Sequence, residues 1–179
     1  MGQYAEPLVF ENNATLTKYA NKDPQLKHHR QFYSGMVESV DDSVGRIIAS
    51  LKAKGVYEET LIVFTSDNGG NWQATDHSPL RDNKGCYYEG GIRVPFLLRV
   101  PGSKSGESST AIISNDVYPT VLEGIGHKLR PHQHLDGLSL VPLTRGEELN
   151  RDSLFWHCPH YNGHPDARAV RSFARVTGS

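Results

Sequence analysis

The 179-residue chain is poor in cysteine, poor in net charge, and has no long apolar run. Its two cysteines, Cys86 and Cys158, lie far apart and form no C-x-x-C motif. Two are too few for a disulfide framework. One bridge or two free thiols both remain open, so cysteine usage does not fix the compartment. Acidic and basic side chains nearly cancel, 20 against 19. That leaves no electrostatic footprint for nucleic acid or for an acidic membrane surface. No stretch approaches the roughly 18 apolar residues that a membrane helix needs. No charged start followed by an apolar segment marks a secretory leader. Internal repeats and low-complexity segments are also lacking. Apolar residues make up 37% of the chain, enough for the core of one domain or of a large piece of one.

The organisation is α/β. Residues 1–22 are polar and read as a connecting segment. Asp23-Pro24 then offers a helix start, an N-cap acceptor followed by proline at the first helical position. From there Phe32, Met36, Val37, Val40, Val44, Ile47, Ile48 and Leu51 recur at steps that make one helical stripe. The spacing predicts a long helix over 24–54, closed by Gly55 as C-cap. Thr60 to Thr65 is β-branched and apolar, the pattern of a strand buried on both faces in a parallel sheet with helices on either side. Residues 67–85 form a polar loop, and Val94 to Val100 a second strand ended by Pro101-Gly102. Ser114-Asn115-Asp116 is expected to cap a short helix over Val117 to Gly124. Residues 126–150 read mostly as loop anchored by Leu138 and Leu140. Ser153 to His157 and Ala167 to Phe173 look like strands of a smaller sheet.

The residue pattern with the most chemical content is Ser66-Asp67-Asn68-Gly69-Gly70, where the apolar strand breaks into loop. In open α/β sheets ligands bind beyond the carboxyl ends of strands. A carboxylate beside a carboxamide suits a hard divalent cation such as calcium or magnesium. The plainer alternative is an Asx turn assisted by the glycines. Lys84, beside Gly85, is a candidate partner for an anion, or else an exposed loop lysine. His77, between Asp67 and Lys84, is a weaker candidate for lining the same site. In Glu89-Gly90-Gly91-Ile92-Arg93-Val94-Pro95 the paired glycines suggest a backbone-crowded turn, with Glu89 and Arg93 bracing it. Cys158 with His157 or His160 admits a zinc site, but the spacing fits no standard zinc module.

In combination these pieces resemble the sulfatase family, sulfate-ester hydrolases of the alkaline-phosphatase-like superfamily. The resemblance runs in order through Tyr33-Ser34-Gly35-Met36 to Gly45-Arg46, Thr65-Ser66-Asp67-Asn68-Gly69-Gly70, Pro79-Leu80-Arg81, Lys84-Gly85 and Tyr88-Glu89-Gly90-Gly91-Ile92-Arg93-Val94-Pro95. It continues through Asp116-Val117-Tyr118-Pro119-Thr120 and Leu135-Asp136-Gly137-Leu138, and covers roughly residues 30–172. It implies the C-terminal part of an alkaline-phosphatase-like sheet flanked by helices, followed by the start of a small antiparallel α+β subdomain. Residues 1–125 would then belong to the catalytic domain. Residues 126–179 would form a connecting loop and the beginning of the subdomain.

By that resemblance Asp67 and Asn68 correspond to two ligands of a divalent metal, usually calcium with magnesium as an alternative. Lys84 corresponds to the lysine that contacts the substrate's sulfate. The family's nucleophile is a formylglycine made from the cysteine of a C-x-P-x-R motif. No such motif occurs here: Cys86 is followed by Tyr87-Tyr88, and Cys158 directly by Pro159. The expectation is therefore a sulfatase fragment, a sulfuric ester hydrolase inactive alone, whose nucleophile comes from a missing upstream segment. Such a piece either meets that segment or self-associates. Its substrate would be an aryl or carbohydrate sulfate, and its compartment periplasmic, extracellular or lysosomal. Two other readings stand beside this one. One is a phosphate or phosphonate ester hydrolase of the same superfamily. The other is a non-catalytic module that binds metal or a sulfated glycan.

Overall fold

The structure is a computed structural model and describes residues 17–19, 31–72, 74–157 and 168–172. Most of the expected connecting segment, the Asp23-Pro24 helix start, Cys158 and His160 lie outside the described residues. Helix α1 spans Gln31–Ala53. Its hydroxyls are spent on their own helix: Ser39 donates to the Gly35 carbonyl at 2.9 Å and Ser43 to the Ser39 carbonyl at 2.7 Å. The helix stops where expected. Gly55 takes a φ of 69°, its N–H donates to the Lys52 carbonyl at 3.0 Å, and the Val56 N–H reaches the Leu51 carbonyl at 3.1 Å. That is a Schellman closure, and the positive φ explains the glycine.

Strand β1, Ile62–Thr65, pairs with β2, Phe96–Arg99, in the register Ile62↔Arg99 to Thr65↔Phe96. The pairing is antiparallel, which corrects the parallel arrangement that the apolar run suggested. β2 is the single described partner of β1, and the chain returns to it through the long loop that begins at Ser66. Burial on both faces is corrected as well. Phe64 and Leu97 are exposed, because no described helix lies over that face. The helical stripe is likewise uncovered at Met36, Val37, Val40 and Ile47, while α1 packs on the 3-10 turn Tyr57–Glu59.

Arg99 ties β2 to that turn. Its guanidinium donates to the carbonyls of Tyr57 at 2.7 Å and Thr60 at 2.8 Å, pairs with Glu58, and stacks 4.2 Å from the Tyr57 ring centroid. The strand that follows the turn is thereby fixed at its start. Its end, where Asp67 lies, is fixed by glycines. The short helix α2, Glu89–Ile92, buries Gly90 and Gly91. The Gly69 N–H donates to the Gly91 carbonyl at 2.8 Å, and the Gly90 N–H to the Arg81 carbonyl at 2.8 Å. A Cβ on Gly69 would stand 1.8 Å from the Gly90 carbonyl oxygen, and one on Gly91 2.0 Å from that of Cys86. Both obstacles are main chain and cannot swing aside. The crowded turn expected here is present, and Arg93 pairs with Glu89 at 2.9 Å across it.

Helix α3 spans Val117–Gly124, as expected, and packs so close that a Cβ on Gly124 would lie 2.4 Å from Leu61 Cδ1. Asp116, just before α3, is fully buried at 0% exposure and holds the following loop. Its carboxylate accepts the N–H of Ile113 at 2.9 Å, the N–H of Leu138 at 2.9 Å, and both arms of the Arg151 guanidinium. Thr120 extends the network, its hydroxyl accepting the Leu140 N–H at 2.8 Å. The buried side chains of Pro119, Leu140 and Val141 belong to the same region. Beyond it, β3 (Ser153–His157) pairs antiparallel with β4 (Arg168–Ser172), the smaller sheet expected from sequence. Leu154 is buried and Phe155 exposed, the alternation of a strand with one covered face.

Two measurements test these contacts. Replacing Gly91 with Ala is expected to cost about 1–3 kcal/mol through overpacking and to speed hydrogen exchange at the Gly69 amide. Gly106→Ala, where nothing lies within 4 Å, serves as the control and should change neither. Replacing Arg151 with Met leaves a buried carboxylate uncompensated and is expected to cost about 3–5 kcal/mol in urea denaturation. An unchanged midpoint would show that the Asp116 pair carries no weight.

Candidate functional site

The site starts where β1 ends. The Asp67 carboxylate is exposed, and its Oδ1 accepts the Asn68 N–H at 3.0 Å and the Ser66 hydroxyl at 3.3 Å. Its Oδ2 has no hydrogen-bond partner among the described residues, and neither has the half-buried carboxamide of Asn68. Both features of the sequence reading therefore coexist. One carboxylate oxygen closes a local turn, and the other stays open beside a free amide oxygen.

Main-chain bonds bring the remaining candidates to this loop. The Lys84 N–H donates to the Gly70 carbonyl at 3.0 Å. The His77 ring lies against Gly70, where an added Cβ would come within 2.9 Å of His77 Nε2. The Gly69–Gly91 bond attaches the loop to α2. Asp67, Asn68 and Lys84 thus belong to one backbone-locked cluster, with the His77 ring against it at Gly70.

Lys84 shares its unpaired state with Lys54, Lys104, Lys128 and Arg130 among the described residues, while several other cations are paired with carboxylates. Arg93, Arg99 and Arg151 each pair with a carboxylate. The Lys84 ammonium is exposed and has no carboxylate or hydrogen-bond partner among the described residues. Arg81 is in the same state except that its guanidinium stacks on the Tyr88 ring, 3.7 Å from Cζ to centroid. Sequence reasoning had matched both residues without giving them a role. Their placement on either side of Lys84-Gly85 was the available signal. Cys86 is free. Burial first, and then the Asp82 carboxylate, push its thiol above the usual range.

The donor set fits a hard cation in part. One open carboxylate oxygen and one free amide oxygen are oxygen ligands of the kind calcium takes, but calcium needs about six to eight. Among the described residues no group of three His, Cys, Asp or Glu side chains could hold a metal by itself. The zinc alternative falls on Cys158 and His160, outside the described residues.

Comparison with known proteins gives the family. The sulfatase family model matches residues 5–127. A sulfatase of Formosa agariphila is 39% identical over 158 residues, covering 79% of this chain and 29% of that protein. The solved structure of Ps i-CgsB in complex with k-i-k-neocarrahexaose superposes with a TM-score of 0.73 at 32% identity, covering 90% of this chain and 36% of the other. A phosphonate monoester hydrolase from Silicibacter pomeroyi superposes with a TM-score of 0.56 at 33% identity, covering 71% and 24%. The chain thus spans under a third of the length of its Formosa relative. Its α/β architecture is that of an alkaline-phosphatase-like fragment. With the family match spanning more than half of the sequence, and with its ordered motifs locked into one loop cluster, the chain belongs to the sulfatase family.

Proposed function

We propose that this chain is the C-terminal part of a sulfate-ester hydrolase, supplying two metal ligands and a sulfate-binding lysine to a site completed by another segment. The observation that carries this reading is an unpaired ammonium, Lys84, on the same locked loop cluster as the open oxygens of Asp67 and Asn68. A sulfate monoester carries one negative charge. During S–O cleavage, charge grows on the leaving oxygen and is redistributed over the other sulfate oxygens. An ammonium carried on a held backbone can stabilise that charge, most strongly where water is partly excluded. Asp67 and Asn68 would hold a divalent cation, with calcium the first choice, which when bound polarises the ester as a Lewis acid. Lys84 would orient the sulfate, and His77 would border it.

The nucleophile must come from elsewhere. Cys86 is not in a C-x-P-x-R setting, and a thiol pushed upward by burial is the opposite of an activated one. In this reading a formylglycine supplies the nucleophile from an upstream segment. Residues 1–125 form the end of the catalytic domain, and residues 126–179 lead into a small subdomain. The uncovered apolar positions on α1, β1 and β2 support a missing segment or self-association. The relative bound to neocarrahexaose favours an oligosaccharide sulfate over an aryl sulfate. The family reading also places the parent in the periplasm, the extracellular space or the lysosome. No described helix is long and apolar enough to cross a membrane. A phosphonate or phosphate ester is the second reading, because the Silicibacter neighbour is a phosphonate monoester hydrolase.

Two experiments test this reading. The chain alone, with calcium, is expected to give no turnover of 4-nitrophenyl sulfate, since covalent catalysis needs its nucleophile. Clear turnover above background overturns the split-site reading, and turnover of a phenylphosphonate ester alone moves the assignment to the second one. Titration with calcium, followed by NMR, is expected to shift the amides of Asn68 and Gly69 with a Kd of roughly 1 mM or weaker, the regime of sparse ligand sets. Asp67→Ala should abolish the shifts. A micromolar constant would mean that the chain completes its own coordination sphere.

A further inference from the structure

We propose that Arg81, stacked on Tyr88, forms a second anion subsite next to the Lys84 position, so that the favoured ligand carries two anionic groups on one saccharide. This inference rests on the sulfate-ester reading above and adds the ligand's class to it. Stacking occupies the face of the guanidinium and leaves its N–H donors free at the edge, in the plane that a sulfate or carboxylate would meet bidentately. Among the described residues those donors have no acceptor. No hydrogen bond or ion pair joins Arg81 to the adjacent Asp82, whose Oδ1 accepts a long bond from the Asn83 amide at 3.4 Å.

The pair is also held in place. The Arg81 carbonyl accepts the Gly90 N–H at 2.8 Å, and the next residue, Asp82, is set at a φ of 69°. The Tyr88 carbonyl accepts the N–H groups of Gly91 at 2.8 Å and Ile92 at 3.2 Å. The same Gly91 accepts from Gly69, next to Asn68. Arg81 is therefore tied through α2 to the loop that carries the metal donors. A preorganised fork loses less freedom on binding than a loose side chain. The arginines that brace the fold are paired with carboxylates; this one is fixed by an aromatic ring and has its charge unspent.

The test uses the 179-residue chain labelled with 15N, titrated with galactose 6-sulfate and with galactose 2,6-disulfate. The disulfate is expected to bind about five- to tenfold more tightly, the range of one exposed charge-assisted bidentate contact. Arg81→Ala should erase that preference while leaving the monosulfate affinity within about twofold. Arg81→Lys should restore only part of it, because an ammonium lacks the fork. Exchange at the Gly90 amide reports whether the loop survives the substitution. A preference that persists in Arg81→Ala overturns the subsite. So does equal loss of both ligands with an opened Gly90 amide, which would make Arg81 a brace. If the monosulfate binds through Lys84 but wild type shows no preference for the disulfate, this inference alone falls. If wild type binds neither sugar, this inference falls, while the sulfate-ester reading is decided by the turnover assay above.

Discussion

Everything at the site depends on main chain meeting main chain at Gly69, Gly90 and Gly91. The Gly69 N–H and the Gly91 carbonyl approach to 2.8 Å, and the Gly90 carbonyl fills the space where a Gly69 side chain would begin. No flexible group lies between the two segments, so the loop after β1 and the turn before β2 move as one piece. Asp67 and Asn68 sit on the first segment and Arg81 on a strand of loop bonded to the second. Lys84 is fastened between them through Gly70. Side-chain packing could hold such loops only within the tolerance of rotamers, whereas hydrogen-bonded backbone holds them to tenths of an ångström.

At the fold's fastening points cations are consumed. Arg99 spends its donors on Tyr57, Thr60 and Glu58, and Arg151 spends both arms on the buried carboxylate of Asp116. At the loop cluster Arg93 pairs with Glu89 across the glycine turn, while Lys84 and Arg81 have no carboxylate partner among the described residues. An unpaired cation on a held backbone has no protein partner to give up before it meets a ligand, and its cost is the water it sheds and the side chain it orders.

Much of this was legible in the sequence. The helix end at Gly55, the helix Val117–Gly124 and the strand Ser153–His157 follow from local rules: glycine at a left-handed C-terminal position, a polar triplet before an apolar run, and alternation on a half-covered strand. The glycine pair before Arg93 announced a crowded turn because few other needs call for two adjacent residues without side chains. What local rules could not give was orientation and partnership. An apolar run says that a strand prefers burial, not which way its neighbour runs, so the antiparallel pairing of β1 with β2 went unforeseen. Asp116 read as a helix cap, while its partner Arg151 lies 35 residues on and carries no local signature. The Arg81–Tyr88 stack likewise needs the turn of the loop to bring the two together.

The incompleteness of the site and the incompleteness of the core have a common explanation. In the proposed reading Asp67 and Asn68 would offer too few oxygens for a hard cation, and Lys84 one charge for a tetrahedral anion. On the same chain, Met36, Val40 and Ile47 on α1, with Phe64 and Leu97 on the sheet, face outward where a helix stripe and a strand would ordinarily be covered. A self-sufficient binding module would be expected to bury such positions and to close its own donor set. A part of a larger unit, as proposed above, would leave both open; the chain spans 29% of its Formosa relative. The residues that would meet a second segment lie on the outer faces of α1 and the sheet. The glycine-locked cluster lies at the strand end. On the proposed reading, docking of a second segment would complete the core and the site without rearranging the backbone that holds Asp67, Asn68 and Lys84.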